Sequence, residues 1–366
     1  MKKFYDEQDN LTAAKIEFYK NYIEGYLIKL LMGFKKCFLA DLFCGPGKNG
    51  TEKGSPLVLI DRAKYILTTP LLKYKDPRIY ILFNDNNKKN TQNLEVELKN
   101  VKTDECINIY PIQNKNFGDI LSQILGQFKN KDIPKFFFLD PFTYSDIKMT
   151  HLKEIMSLEN TEILLFLPTF FAYRFASDEK LKEDHKTRIF VEEFTDRGIF
   201  NYENIEYFMK SIKNKLRKEL GLDFVRPVLL NNGSRKNSLF LLTKSQEGMM
   251  LMNKIAIKKS EDGSGMNVKN PGLKTLFGTK GTPKFELFKT DLTNEIKKRR
   301  QMTNLEIIKF TAIEEFLPKH AKDIIKKLME QDKIKVFDSL GNETNQSTKF
   351  FIAEKPQKTS VFKHIS

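Results

Sequence analysis

The sequence has few of the residues that build metal sites and disulfides. Its three cysteines, Cys37, Cys44 and Cys106, form no C-x-x-C pair, and its four histidines are widely scattered. Neither group has the spacing of a zinc site. The odd number of cysteines favours a reducing cytoplasm, and the N-terminal stretch lacks the apolar core of a secretory signal. We therefore expect a cytoplasmic protein with no bound metal.

Long apolar runs are also missing. No segment approaches the roughly eighteen consecutive apolar residues of a membrane span, so no membrane association is predicted. The 366 residues are 40% hydrophobic and 30% charged, which is typical of a globular chain with room for two domains.

Acidic residues are too few to balance the basic ones. The chain has 62 Lys and Arg against 47 Asp and Glu, which gives a formal net charge of +15. An excess of this size favours a polyanionic partner, nucleic acid ahead of a membrane surface. The alternative is that the many Lys, Ile, Asn and Phe residues reflect an AT-rich genome.

Short apolar runs alternate with helical segments through the first two thirds of the chain. Apolar residues at helical spacing predict a first helix over 12–33. Strands are predicted at 38–43, 79–85, 107–112, 135–140, 162–167, 224–230 and 238–244, and helices at 91–99, 117–128 and 149–158. Near-continuous apolar strands separated by helices indicate a parallel sheet covered on both faces, ending in a hairpin. The prediction is a Rossmann-like α/β domain over 1–257, with about seven strands and a helical insertion or cap at 178–221.

The last third of the chain has a different pattern. A segment rich in Gly, Ser, Lys and Pro, 258–284, is predicted to be a linker. Beyond it, over 285–366, two short helices ("LEIIKFTAIEEF" and "PKHAKDIIKKLMEQDK") precede two strand-like stretches, "IKVF" and "KFFIAE". A helix, a turn, a helix and a β-ribbon are typical of a winged-helix domain.

Basic residues cluster in this last region. They are Lys297, Lys298, Arg299 and Arg300 before the first short helix, and Lys319, His320, Lys322, Lys326 and Lys327 in the second. Such side chains suit contacts to nucleic-acid phosphates. A solvated basic face on a protein-binding winged helix is the alternative.

The stretch "ADLFCGPGKNG", residues 40–50, joins the first predicted strand to a glycine-rich loop. Its G-x-G-x-x-G spacing is usual for a dinucleotide site, but there a helix begins at once and an acid follows about twenty residues later. Here the loop continues, and the acid that ends the second strand is Asp85. Asp41 instead suits the sulfonium and amino groups of S-adenosylmethionine, while Gly45 and Gly47 let the backbone approach a ligand. A structural cap on the loop is the alternative role for Asp41.

The stretch "FFFLDPF" is a second signal. Asp140 follows the fourth predicted strand, at the sheet edge where ligands of open α/β sheets bind. Methylation of a base amine needs an acceptor for the amine hydrogens, a carbonyl that shapes the turn and an aromatic face. Asp140, Pro141 and either Phe142 or Tyr144 have these groups, provided that the base leaves its stack. An ordinary Asp-Pro pair at a strand-to-turn junction is the alternative.

Four stretches resemble the three-Cys-motif partner proteins, a bacterial family similar to class I methyltransferases that often carries a C-terminal winged helix. They are "LADLFCGPGKNGTEKGSPL", "FFFLDPFTYSDIKMTHLKEIM", "EILLFLPTFFAYRFA" and "LFLLTKSQEGMMLMNKIAI". Together they span nearly all of the first 255 residues. The resemblance implies a phage or defence setting and a partner protein that itself contains the three-Cys motif.

The same core is similar to RlmJ-type ribosomal RNA adenine-N6 methyltransferases. That similarity implies an S-adenosylmethionine site lined by Lys15, Asp41, Phe43, Gly45, Gly47, Ser55, Asp85 and Asn116. The chain departs from those enzymes at "DPFT", where they have D-P-P-[YF]. It also has Phe166 and Phe170 where an Asn and an Asp are expected.

We therefore predict S-adenosylmethionine-dependent methyl transfer to nucleic acid, DNA or RNA, with adenine N6 as the expected target. The departures leave an alternative, a nucleic-acid-binding scaffold with an inactive methyltransferase core. A nicotinamide-dependent oxidoreductase is the third hypothesis, and it rests on the glycine spacing alone.

Overall fold

The fold is known from a computed structural model. It describes residues 2–72, 76–129, 132–178, 180–233, 235–267, 278–343, 352–353 and 359–365, without the side chains of 2–10, Leu71 and Tyr144. The chain forms two compact units. The first comprises Met1–Lys244 with Met266–Asn270, and the second comprises Ser245–Gly265 with Pro271–Ser366. None of the described helices is long and apolar enough to cross a membrane.

The first unit alternates strands and helices along the chain. Its described helices are α1 (Lys2–Gly33), α2 (Ser55–Leu67), α3 (Lys88–Lys99), α4 (Phe117–Phe128), α5 (Met149–Ser157), α6 (Thr169–Arg174), α7 (Lys186–Phe194) and α8 (Ile205–Leu220). Its described strands are β1 (Lys36–Asp41), β2 (Lys48–Asn49), β3 (Glu52–Lys53), β4 (Arg78–Phe83), β5 (Ile107–Ile109), β6 (Lys135–Leu139), β7 (Thr161–Leu167), β8 (Phe224–Asn231), β9 (Lys236–Thr243) and β10 (Gly265–Asn267).

Eight of these strands form one sheet, in the order β10-β8-β9-β7-β6-β1-β4-β5. From β7 to β5 every pairing is parallel, whereas β9 runs antiparallel to both of its neighbours, β7 and β8. The prediction of an α/β fold with a mostly parallel sheet is confirmed. The strand beyond the predicted seven is β10, which lies inside the predicted linker.

Side chains alternate across β6 and fix which helix covers which face. Phe136 and Phe138 face α1, where the Tyr19 ring lies 4.4 Å from that of Phe138. Phe137 faces the other way and packs with Phe38, whose ring is 4.2 Å from Phe128 of α4. Since side chains two apart share a face of a strand, Asp140 continues the row that faces α1.

Helix α8 belongs to the core of the first unit. The charged sequence pattern predicts an insertion or cap over 178–221 instead. Its apolar face, with Phe208, Ile212 and Leu216 fully buried, joins the main hydrophobic cluster of the sheet. This helix is therefore the connection that crosses from β7 to β8 and covers the sheet beside α5.

The second unit combines helices with a small antiparallel sheet. Its described helices are α9 (Gln246–Lys259), α10 (Pro283–Arg299), α11 (Asn304–Ile313) and α12 (Pro318–Glu330). Its described strands are β11 (Gln301–Thr303), β12 (Ile334–Phe337) and β13 (Val361–His364), in the order β11-β13-β12. Helix α10 carries the first basic cluster, which the sequence analysis placed just ahead of the helical region.

The structure differs from the sequence prediction at the domain boundary, in the linker and at the last strand. Helix α9 groups with the second unit, although the predicted boundary at 257 put it in the first. Of the predicted linker 258–284, residues 268–277 lie outside the described residues, and α10 already begins at Pro283. The predicted strand "KFFIAE" also falls mostly outside the described residues, and the strand that pairs with β12 is β13.

The side chain of Asn253 explains why α9 belongs to the second unit. This buried amide donates hydrogen bonds to the carbonyl oxygens of Ala312 (3.1 Å) and Phe316 (3.2 Å), at the end of α11 and just beyond it. Helix ends leave carbonyl groups without helical partners, so a buried amide that satisfies two of them ties the helices together.

We expect Asn253→Ala to lower the free energy of unfolding by about 1–3 kcal/mol, because the Phe316 carbonyl loses its side-chain donor, while the Ala312 carbonyl keeps the Glu315 N–H. Urea unfolding followed by circular dichroism measures this loss. Lys254→Ala is the control, since Lys254 is the exposed neighbour on the same helix. Equal midpoints for the two variants would contradict a structural role for the Asn253 amide.

Candidate functional site

Three aspartates lie where adjacent parallel strands end. Asp41 ends β1, Asp85 follows β4, and Asp140 follows β6. Strand β1 pairs in parallel with both β4 and β6, so the carboxyl ends of the three strands lie side by side. Ligands of open α/β sheets bind at this edge. The sheet therefore brings together residues that the sequence analysis selected from separate motifs.

Asp41 is fully buried, and neither of its carboxylate oxygens has a hydrogen-bond partner among the described residues. Burial raises the pKa of Asp41 to about 7, and the negative charge of Asp140 adds to this effect. The Ser55 hydroxyl, the Phe43 backbone N–H and the Lys15 charge each lower the pKa of Asp41 in part. The Ser55 and Phe43 groups do not meet the distance and angle criteria of a hydrogen bond to Asp41. A buried carboxylate without a donor is costly, so Asp41 needs an explanation beyond packing.

The hydroxyl of Tyr19 on α1 adds a third orphaned polar atom. It is buried without a hydrogen-bond partner among the described residues, and burial together with the nearby charge of Asp41 raises the pKa of Tyr19. Sequence reasoning missed Tyr19 because its ring fits the apolar face of α1.

Asp85 anchors the glycine loop. Its Oδ2 accepts a hydrogen bond from the backbone N–H of Gly45 at 2.9 Å, and its Oδ1 accepts from the Asn87 N–H and the Asn90 side chain at 2.8 and 3.2 Å. The geometry thus gives Asp85 a loop-positioning role in addition to the cofactor contact that was predicted.

A second anchor was missed by the sequence analysis. The buried Asn84 side chain donates to the carbonyl oxygens of Leu42 (3.2 Å) and Lys115 (3.1 Å) and accepts from the Lys115 N–H. It ties the loop after β1 to the loop before α4, where the exposed Asn116 precedes the helix. The only sequence signal was its place next to Asp85 at a strand end.

The glycines of the loop serve different purposes. Gly45 (φ +63°) and Gly47 (φ +87°) both have left-handed backbones that favour glycine. A Cβ on Gly47 would lie 2.8 Å from Leu94 Cδ1 on α3, so this glycine permits close packing within the chain. A Cβ on Gly45 would meet no atom within 4 Å. Open space therefore lies beside Gly45, which is partly buried, as it does beside the exposed Gly50 further along the loop.

Beyond Gly47 the chain forms the short hairpin of β2 and β3 before it returns. The backbone N–H of Gly54 donates to the Gly47 carbonyl at 2.7 Å, which places the first turn of α2, with Ser55, next to the loop. A dinucleotide loop leads straight into its helix, and this one does not.

Lys15 and Asp140 form an ion pair between their side chains. Lys15 lies one helical turn before Tyr19, which places its ammonium over the edge of the sheet. Its Nζ also lies 4.6 Å from the centroid of the Phe166 ring at the end of β7. Phe166, noted in the sequence as a departure from the expected Asn, is thus a wall of the site.

The turn after Asp140 presents one aromatic ring to solvent. Pro141 is buried, whereas Phe142 is 94% exposed. The Thr143 N–H donates to Asp146 Oδ2 at 2.9 Å and fixes the turn. The Tyr144 side chain lies outside the described part of the structure. Phe43, predicted as a cofactor contact, is half-buried and stacks on Phe117 with ring centroids 5.1 Å apart.

The predicted phosphate contacts in the second unit are exposed with one exception. Lys297, Lys298, Arg299, Arg300, Lys319, Lys322 and Lys326 are exposed side chains of α10, its C-cap and α12. Arg299 is paired with Glu295 at 2.6 Å. His320 is buried, its Nδ1 accepts from the Leu317 N–H, and burial lowers its pKa to about 4. A buried neutral imidazole is poorly placed for a phosphate contact, unlike the exposed lysines of the same helix.

Comparison with known proteins does not identify a family for this chain. No protein family model matches this chain, and no curated protein matches its sequence. Among the described residues, no group of three or more His, Cys, Asp or Glu side chains is arranged to hold a metal ion. Function must therefore be argued from the geometry of the sheet edge.

We expect Asp41→Asn to change how stability depends on pH. The pKa of Asp41 is about 7 in the folded protein, against an ordinary value of 3.8. Between these values the folded state binds the proton more tightly, so the free energy of unfolding falls as the pH rises from about 4 to about 7. The loss is at most about 4 kcal/mol, since a tenfold change in proton affinity is worth about 1.4 kcal/mol.

Urea unfolding at about pH 5 and about pH 8 measures this effect. The Asn variant should lose less stability between the two values than the native protein. Asp61→Asn on α2 is the control, because Asp61 forms a surface ion pair with Lys53. Identical pH profiles for native protein and Asp41→Asn would rule out a protonated Asp41.

Gly47→Ala should destabilise the protein more than Gly45→Ala. Both variants place a side chain at positive φ, which costs about 1–2 kcal/mol. Only Gly47→Ala also displaces the buried side chain of Leu94. Urea midpoints of the two variants test this, and equal midpoints would show that Leu94 moves aside without cost.

Proposed function

We propose that the chain is an S-adenosylmethionine-dependent methyltransferase that acts on nucleic acid. The observation that carries the proposal is the buried, unpartnered carboxylate of Asp41 at the end of β1, close to the loop with open space beside Gly45. A cationic ligand group near Asp41 would supply the missing partner and would favour its ionised form.

The strand order supports the same class. A dinucleotide-binding sheet runs 3-2-1-4-5-6 with parallel strands. Counted along the chain within the large sheet, β7 is the fifth strand and β8 the sixth. Here an antiparallel strand, β9, lies between them. Such an inserted strand is typical of class I methyltransferases. The nicotinamide-dependent hypothesis therefore keeps only the glycine spacing in its favour.

The residues of the edge have separate roles in this proposal. Asp41, Gly45, Ser55 and Tyr19 would hold the donor, which when bound supplies a methyl group on a positively charged sulfur. Asp140 accepts a hydrogen bond from the incoming base amine and so directs the nitrogen lone pair. Lys15 engages Asp140 through Oδ2, so the amine shares this carboxylate with the Lys15 ammonium. Phe142 offers its exposed ring for stacking.

The second unit would place the substrate. We propose that α11, α12 and the antiparallel strands form a winged-helix domain, and that the exposed cations of α10 and α12 contact phosphates. A phage or defence setting, with a partner that contains the three-Cys motif, rests on the family resemblance alone.

One observation favours the alternative, an inactive core used as a nucleic-acid-binding scaffold. The Asp140 carboxylate is already paired with Lys15, and Phe166 lies beside that pair where a polar residue is expected. A base amine must therefore compete with the Lys15 ammonium for Asp140. Donor binding without transfer would select this alternative.

Calorimetric titration with S-adenosylhomocysteine tests the donor site. The native protein should bind with micromolar affinity, and Asp41→Asn should weaken binding at least about tenfold, which corresponds to about 1.4 kcal/mol. Asp61→Asn should bind like the native protein. No binding to the folded native protein would overturn the proposal.

The native protein, Asp41→Asn, Asp61→Asn and Asp140→Ala should then be assayed with radiolabelled methyl donor and nucleic acid. Asp140→Ala should keep donor binding but reduce transfer by about a hundredfold or more, because the base amine loses its acceptor and a positioned acid–base group contributes at least about that factor. Unchanged transfer in that variant would contradict the role of Asp140.

A further inference from the structure

The first unit exposes an unusual set of aromatic rings after β7. Phe171, Phe175, Phe200 and Tyr207 are each between 41% and 52% exposed to solvent. They occupy α6, the segment after it, and the start of α8 with the segment before it. Scattered exposed rings are normal, but a contiguous exposed apolar surface marks a binding surface.

Backbone contacts join the segments that carry these rings. The Phe200 N–H donates to the Ala176 carbonyl at 2.9 Å, which joins the segment after α6 to the segment before α8. Helix α6 starts two residues after β7, and the Thr169 hydroxyl bonds Ser238 on β9 at 2.8 Å. The segments that carry the rings therefore connect the end of β7, where Phe166 lies beside the Lys15–Asp140 pair, to the start of α8 with Tyr207.

Cations are interleaved with the rings. The Arg174 guanidinium lies 5.6 Å from the centroid of Phe170, and that of Arg197 lies 4.8 Å from Phe200. Lys210 is exposed one turn after Tyr207. Within the described part of the chain, Arg197 and Lys210 form no ion pair, so both are available to anions.

A shallow cavity of about 380 Å³ lies at the far end of this surface. Arg197, Phe200, Tyr207 and Lys210 line it, together with the acidic side chains of Asp196 and Glu203. The Asp196 carboxylate accepts hydrogen bonds from Ser211 and, at 3.0 Å, from Asn214, so its charge is partly satisfied within the chain. The cavity thus offers rings for stacking, with two cations that form no ion pair among the described residues and two acidic side chains beside them.

We propose that these residues form a binding track for single-stranded nucleic acid. The aromatic track is defined as Phe171, Arg174, Phe175, Arg197, Phe200, Tyr207 and Lys210. Rings spaced along a basic surface stack successive bases, while the cations follow the phosphates, without reading the sequence. A paired duplex hides its base faces, so the track distinguishes unpaired strands. The proposal rests on the proposed function and gives its substrate class.

Fluorescence anisotropy with labelled oligouridylate of about 12 nucleotides tests the track in the full chain. Phe200→Ala and Tyr207→Ala should each weaken binding about tenfold, and the native protein should prefer the single strand over a duplex of equal length. Tyr65→Ala is the matched control, because Tyr65 on α2 is 49% exposed and lies 5.1 Å from the Arg62 guanidinium. Its affinity should be unchanged.

Ultraviolet crosslinking of the same oligonucleotide locates the bound strand. Crosslinks at Phe200 or Tyr207 support the track, and they should persist when Lys297 and Lys298 are both changed to Glu. Crosslinks confined to the second unit, or equal losses in Tyr65→Ala and Phe200→Ala, would overturn it.

Donor binding should be measured in the same variants by calorimetry. It should be unchanged in Phe200→Ala, since that residue lies outside the donor site. Absence of donor binding with intact strand binding would defeat the methyltransferase proposal and leave the track standing. Intact donor binding with no binding of the single strand would overturn the track and leave the donor site standing.

Discussion

The buried carboxylate of Asp41 is the constraint around which the edge of the sheet is arranged. A carboxylate removed from water must be protonated, hydrogen-bonded or paired with a cation. The chain supplies no hydrogen bond to either oxygen among its described residues, and burial with the nearby Asp140 raises the pKa to about 7. The side chain is thus poised between two charge states near neutral pH. A cationic group brought next to it would stabilise the charged state further.

The Lys15–Asp140 ion pair makes α1 part of the site. Tyr19, Tyr22 and Tyr26 fix the helix on β6 through their ring contacts with Phe136 and Phe138, so Lys15 is held in place by packing one turn away. A pair with both partners partly buried is stronger than a surface pair, because less water screens it. An incoming amine must therefore match a contact that the fold already provides. This competition separates an active enzyme from a scaffold.

Local signals in the sequence were enough for seven strands of the large sheet and for the aspartates at the ends of three of them. Each strand of the parallel part is a nearly continuous apolar run, because both faces of such a sheet are covered. The contacts that give each residue its role in the site could not be predicted, because they join residues far apart in the sequence. Lys15 and Asp140 are 125 residues apart, and the Gly47–Leu94 contact depends on how α3 packs, which no local pattern encodes. Similarly, α9 looked continuous with the first domain until its buried Asn253 was seen to bond the end of α11.

The charge at the sheet edge decides between classes of ligand. Asp41, Asp85 and Asp140 meet there. Asp85 already accepts a hydrogen bond from the Gly45 N–H, and Asp140 already forms an ion pair with Lys15. A dinucleotide would bring two negative phosphates towards this acidic edge, where like charges repel. A ligand with a positive sulfur and an amino group brings the opposite charge to Asp41, whose pKa it would lower. Electrostatics thus favours a cationic donor for a loop whose glycine spacing alone fits either class.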